Sequence, residues 1–162
     1  MKILGIDPGI GRCGWAVIEA QGSKLKALDY GCIETSPKRE IPQRLKEVYS
    51  EVSEIIDKYS PDSLSIEELF FNTNAKTAFI VGQARGVILL AASEKNLQIS
   101  IYTPLQVKIA ITGYGRAEKD QIGQMVKVLL SLKSIPKPDD TTDALAIALT
   151  HAFSSKMNKA QE

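Results

Sequence analysis

Residues 2–20 read KILGIDPGIGRCGWAVIEA, and the parsing of this stretch decides the fold. Ile3, Leu4 and Ile6 form a short apolar run, Pro8 and Gly9 break it, and Trp15 to Ala20 resume it. Two strands joined by a glycine-rich turn fit this pattern. The same letters contain G-x-G-x-x-G at Gly9, Gly11 and Gly14. As a dinucleotide fingerprint that motif needs a helix to open at its third glycine. Trp15, Ala16, Val17 and Ile18 continue as a strand instead, so the glycines are expected to serve a hairpin and to take positive φ there. No G-K-[ST] phosphate loop occurs anywhere in the chain.

Working outward, KLKALDYGCIET at 24–35 alternates as a third strand of the same antiparallel meander. From Pro42 to Tyr59, Leu45, Val48, Val52, Ile55 and Ile56 recur at helical spacing, the mark of an amphipathic helix. SLSIEEL at 63–69 reads as a buried strand, the segment from Asn72 to Asn96 as a helix of about twenty residues, and QISIYTP at 98–104 as a further strand. A short helix follows Pro104, another follows the turn at Gly113–Gly115, and DDTTDALAIALTHAFSSKM at 139–157 forms the last. Three hairpin-linked strands followed by alternating helices and strands imply an α/β fold with a mixed five-stranded sheet flanked by helices. Residues 1–155 are expected to form one domain and 156–162 a flexible polar tail.

Composition narrows the chemistry. With 162 residues, 44% hydrophobic and 24% charged, the chain can bury one core and has no room for a second lobe over a substrate. The single His151 and the two cysteines, Cys13 and Cys32, cannot complete a soft-metal site, which leaves carboxylates. No signal peptide or run of ~20 apolar residues is present, so a cytoplasmic, reducing setting with free thiols is expected.

Three acidic features stand out. Asp7 ends an otherwise buried strand before Pro8-Gly9, where it is either a turn-initiating residue or a group paired with a cation. Glu67 and Glu68 follow Leu64 and Ile66 at a strand end; alternation turns one inward and one outward, as a solvated pair or as part of a site. Asp140 and Asp143 flank Thr-Thr at the start of an apolar helix, where they suit the helix dipole and a capping role or share one face of the first turn. Should that turn abut the two strand ends, the four carboxylates converge and call for hard divalent cations. Two such ions would support phosphodiester hydrolysis.

The blocks GIDPGIGRCGWAV, SLSIEELFFNTNAKTA, GQARGV, QVKIAITGYGRAEKDQ and DDTTDALAIALTHA together resemble the RuvC family of bacterial Holliday junction resolvases, in order and over nearly the whole chain. The resemblance implies a ribonuclease H-like fold and a magnesium-dependent endonuclease that makes paired, symmetric nicks in four-way DNA junctions during recombination and repair. It puts the catalytic, metal-holding carboxylates on Asp7, Glu67, Asp140 and Asp143, with two Mg2+ ions per site and Mn2+ as substitute. Asp139 is an extra acid beside the motif, and the spacing before DALAIA favours Asp140. The family also implies DNA contacts at Phe70, Lys108 and Lys119, and Arg116 lies in the same basic stretch. Arg85 in GQARG serves either DNA or structure. A homodimer is implied, for which the apolar helix from about Thr77 to Ala92 offers a surface unless it is simply buried, as are the partner proteins RuvA and RuvB. A junction-binding protein without catalysis, or an actin-like ATPase suggested by GIDPG alone, would be the rivals; retention of all four acids opposes the first and chain length the second.

Charge fits this picture. The 20 basic and 19 acidic residues nearly cancel, yet setting four acids aside in a metal site leaves bases in excess elsewhere, and DNA binding is expected to weaken steeply with salt.

Overall fold

The order of elements follows the sequence pattern closely. In the computed structural model, which describes residues 1–68 and 75–159 (of 75 and 156–159 the backbone alone), the chain runs β1 (Lys2–Asp7), β2 (Arg12–Gln21), β3 (Lys24–Glu34), α1 (Ile41–Tyr59), β4 (Ser63–Glu67), α2 (Ala75–Glu94), β5 (Gln98–Tyr102), α3 (Pro104–Thr112), α4 (Lys119–Leu129) and α5 (Asp139–Lys159). The five strands form one sheet in the order β3-β2-β1-β4-β5. β1, β2 and β3 pair antiparallel, whereas β1 with β4 and β4 with β5 pair parallel. This is the mixed sheet that a hairpin meander followed by strand-helix alternation implies. No helix among the described residues is long and apolar enough to cross a membrane.

Period-two alternation divides the sheet into two faces. Leu4, Ile6, Val17, Leu64 and Ile66 pack with α1 and α2, including Val48, Val52, Ile56 and Ile88. Ile3, Ala16, Ile18 and Ala20 pack on the opposite face against α5, whose residues Ala144 to Leu149 are fully or almost fully buried. A helix apolar on all sides is expected to be enclosed, and α5 is covered by the sheet on one side and by α3 and α4 on another. Cys13 and Cys32 are free; Cys13 lies in the α1 and α2 core, while Cys32 pairs with Gly14 and so faces the other way.

Two glycines let α5 come this close. A Cβ at Gly5 would stand 2.3 Å from the Ala144 carbonyl oxygen, and one at Gly14 would stand 1.9 Å from the Asp140 carbonyl oxygen. Here the positive-φ expectation for the G-x-G-x-x-G turn fails. The glycines with positive φ are Gly22 and Gly113; Gly9 is required because its Cβ would lie 2.0 Å from the Arg12 carbonyl oxygen, and Gly14 because it seats a helix. Close approach of backbone to backbone, rather than a left-handed conformation, explains these two positions.

The seat at Gly5 can be tested apart from chemistry. Gly5→Ala pushes α5 off β1 and should cost ~1–3 kcal/mol or more, read as a lower urea midpoint with unchanged slope. An unaltered midpoint would contradict this packing.

Candidate active site

Parallel pairing brings two acids to one edge. Ile6 lies opposite Ile66, so the next residues, Asp7 and Glu67, end neighbouring strands side by side. Because Ile6 and Ile66 point into the α1 and α2 core, alternation turns Asp7 and Glu67 towards α5. Glu68 is exposed, as the inward-outward reading requires. The end of β4 is held by two bonds: the Glu68 N–H donates to the Tyr102 carbonyl at 2.9 Å, and Arg85 Nε, from α2, donates to the Glu67 carbonyl at 3.4 Å. Arg85 therefore has a structural contact at the site.

The third acid comes from α5. Asp7 pairs with Gly14 across the hairpin, and the Asp140 backbone sits on Gly14, so the first turn of α5 is fixed directly beside Asp7. One turn further, Asp143 joins Asp7 and Glu67 in lining a cavity of about 370 Å³, walled also by Lys108, Lys119 and Val107. Asp140 does not line this cavity, although its charge acts on Asp7 and on Asp143. Asp139 bonds Lys137 Nζ at 2.6 Å on an exposed side of the helix.

Both cavity lysines owe their position to the starts of helices that the sequence pattern places correctly, fixed by caps that the pattern reading did not single out. Thr103 caps α3: its hydroxyl accepts from the Gln106 N–H, and Gln106 Oε1 accepts from the Thr103 N–H, at 3.1 and 2.8 Å. At α4, Gln121 Oε1 accepts from the Glu118 N–H at 2.8 Å. The signals were T-x-x-Q at 103–106 and E-x-x-Q at 118–121, patterns that mark helix N-termini and fix the phase at which the next residues project. Arg116 is exposed in the turn between these helices, outside the cavity lining. Phe70 and its neighbour Phe71 lie outside the described residues.

Charge at this edge is frustrated. Burial, then the carboxylates of Asp143, Glu67 and Asp140, push the Asp7 carboxyl up to about 8, against the opposing effect of Lys119. Burial also raises Glu67 and Asp143, the former helped by the charge of Asp143. Lys119 Nζ lies 3.3 Å from Asp143 Oδ2 and is itself raised, chiefly by that carboxylate. Among the described residues no three His, Cys, Asp or Glu side chains stand in a ready coordination sphere; the acids share a cavity, and an ammonium supplies the countercharge. The donor set nevertheless fits a hard divalent ion, since it offers carboxylate oxygens alone, and their elevated protonation marks a place where positive charge is wanted. His151 takes no part: it is buried, with Nδ1 2.8 Å from the Tyr102 hydroxyl, and burial lowers its pKa.

Known proteins resemble this chain over nearly its full extent. A family model described as crossover junction endodeoxyribonuclease RuvC matches residues 3–151. The crossover junction endodeoxyribonuclease RuvC of Alkaliphilus metalliredigens is 56% identical over 95% of this chain and 94% of its own length. Among solved structures, Thermus thermophilus RuvC in complex with Holliday junction substrate superposes with a TM-score of 0.93 at 38% identity, covering 98% of this chain and 96% of that one. The yeast mitochondrial Holliday junction resolvase Ydc2, at 14% identity and a TM-score of 0.63, shares the fold.

The frustrated acids set a pH dependence in the metal-free protein. The Asp7 pKa is higher folded than unfolded, so between the ordinary aspartate range and about 8 the folded state holds a proton that the unfolded chain has released. Stability from this group is complete at low pH and falls as pH rises through that window. Asp7→Asn should flatten the profile and melt above wild type at pH 8, by ~1.4 kcal/mol for each pH unit of displacement removed. Thermal melts in chelator from pH 4 to pH 9 check this; parallel profiles for the two proteins would refute it.

Proposed function

The chain belongs to the RuvC family of crossover junction endodeoxyribonucleases, and from that premise we propose that it resolves four-way DNA junctions by paired, symmetric nicks with two divalent metal ions, magnesium in the cell. One observation carries the reading: Asp7, Glu67 and Asp143 line a single cavity with Lys108 and Lys119 on its walls. Asp7 and Glu67, on adjacent strand ends, and Asp143 with Asp140, on the first turns of α5, would hold the ions. When bound, the pair supplies a water activated for attack and offsets charge on the leaving oxygen.

The chain's own residues do the rest. Asp7 must give up its proton to act as a ligand, so metal loading releases protons and strengthens as pH approaches about 8. Lys119 has a side chain 73% exposed, long enough to leave Asp143 and meet a phosphate oxygen once divalent charge replaces it. Lys108 approaches from α3 on another wall. Both can orient the scissile phosphate and stabilise the charge it gains. Phe70, which follows β4 by three residues, is assigned to stacking on an unpaired base at the crossover, a contact worth ~1–3 kcal/mol, and Arg116 to the DNA backbone.

Two symmetric cuts require two sites related by a twofold axis. The face of α2 turned from the sheet supplies a surface for this: Phe79 and Leu90 are 68% and 51% exposed, with Gly86 also exposed between them. Residues 79, 83, 86 and 90 fall on one stripe at helical spacing. The protein acts as this homodimer on chromosomal DNA in the cytoplasm, with RuvA and RuvB as branch-migration partners.

On a synthetic four-way junction with magnesium, wild type should cut opposite strands, and chelation should abolish the cut. Asp7→Asn should lose at least about a hundredfold in rate, more than loss of an outer contact costs, while still binding the junction. Cleavage in chelator, or an Asp7→Asn variant as fast as wild type, would sink the mechanism.

Phe79→Asp and Leu90→Asp should each sediment as folded monomers and make unpaired nicks. Wild-type sedimentation behaviour from both would remove α2 from the interface.

A further inference from the structure

The catalytic edge has a second basic flank, away from Lys108 and Lys119. Across the hairpin Asp7 pairs with Gly14, and Arg12 pairs with Glu34 at the end of β3. The β1–β2 turn, the end of β3 and the start of α1 therefore meet at the edge that carries the acids. Buried Thr35 ties them together. Its N–H donates to the Gly11 carbonyl at 3.1 Å, and its hydroxyl donates to the Ile10 carbonyl. The same hydroxyl accepts from Arg44 Nε at 2.7 Å.

With its proton committed to Ile10, the Thr35 oxygen can only accept from the guanidinium, which pins Arg44 over the turn. A terminal nitrogen of Arg44 lies 3.6 Å from where a Gly11 Cβ would sit. A guanidinium has five N–H donors, and the described bonds use one of Arg44's. Arg39 is spent on Glu47 at 2.8 Å, but none of the ion pairs among the described residues includes Arg44. Arg12, on the same turn, has a side chain 60% exposed and only a 3.8 Å approach to Glu34. A half-buried cation held still with donors spare, at the same strand ends as the exposed Arg12, is what a phosphodiester offers its charge to. The planar fork matches phosphate oxygens, and the Thr35 bond removes much of the ordering cost.

We propose that Arg44 and Arg12 form a phosphodiester-binding site for a DNA arm leaving the cleavage centre on the hairpin side. The proposal rests on the junction-cutting function and extends it. The acids lie at the centre of the edge, Lys108 and Lys119 on one side, and Arg12 and Arg44 on the other, so one DNA strand crossing the cavity would meet cations before and after the cut.

The experiment is a salt series of junction binding, followed by fluorescence anisotropy in chelator so that nothing is cut, with thermal melts alongside. Arg44→Ala should weaken binding about five- to tenfold and lower the slope of log K against log salt by about one. Arg44→Lys should recover the slope. Arg12→Ala should lower the slope too. Wild-type affinity and slope in Arg44→Ala would overturn the proposal, as would lost affinity at unchanged slope with a depressed melting point, which marks Arg44 as a brace for the turn. Should Arg44→Ala fail to fold, Arg12→Ala decides, and an unchanged slope there overturns the site. If wild type shows no preference for the junction over linear duplex, it is the substrate assignment that fails, and the same slopes measured on duplex judge Arg44 independently.

Discussion

The contact between the Asp140 backbone and Gly14, with 1.9 Å from the carbonyl oxygen to where a Cβ would be, governs the geometry of the acidic edge. Gly14 is paired with Asp7, so whatever sits on Gly14 sits beside the first acid. An alanine there would drive the start of α5 outward, and Asp143, one turn further along, would move with it. The helix cannot compensate by sliding, because Gly5 makes the same demand lower down against Ala144 and Ala148. Two missing side chains thus convert a close-packed helix–sheet contact into a fixed distance between carboxylates on separate elements.

That precision brings together groups that repel. Asp7, Glu67 and Asp143 each have a raised pKa, with burial as the leading cause. A fold optimised for stability alone would not place them in one cavity, since half-desolvated like charges cost free energy whether they stay ionised or take up protons. Lys119 offsets part of this, yet its side chain is 73% exposed and its bond to Asp143 is 3.3 Å long. A loosely held ammonium is a replaceable countercharge. Structure and electrostatics therefore point the same way: the cavity favours positive charge, and Lys119 supplies part of it.

Much of this was legible in the sequence because the relevant signals are local. Asp7 ends a run that can only be a strand, Glu67 and Glu68 divide by alternation, and ALAIAL announces a helix too apolar to be anything but enclosed. What was misread depends on how closely backbone packs on backbone. Gly9 and Gly14 look like turn residues, and only the seated Arg12 and Asp140 carbonyls reveal them as close-contact positions. The α5 rotation that turns Asp143 into the cavity and leaves Asp140 beside it is likewise a packing outcome that spacing does not encode. The α2 helix read as either core or interface because it has two unlike faces: Ala84, Ile88 and Ala91 are buried while Phe79 and Leu90 face outward.

A net charge of +1 is easily taken as indifference to a polyanion. The fold shows why that inference fails. Charges are sorted by position: acids gather at the centre of one sheet edge, Lys108 and Lys119 approach from α3 and α4, and Arg12 and Arg44 hold the hairpin side. At physiological salt the Debye length is about 8 Å, so a phosphate responds to the few groups near it and hardly at all to the sum over the molecule. An acidic centre would repel a DNA strand if left bare. Divalent charge held by those acids would offset them, leaving Lys108 and Lys119 on one side and Arg12 and Arg44 on the other to meet the strand. Metal loading and DNA binding would then be coupled through the charge of the edge itself.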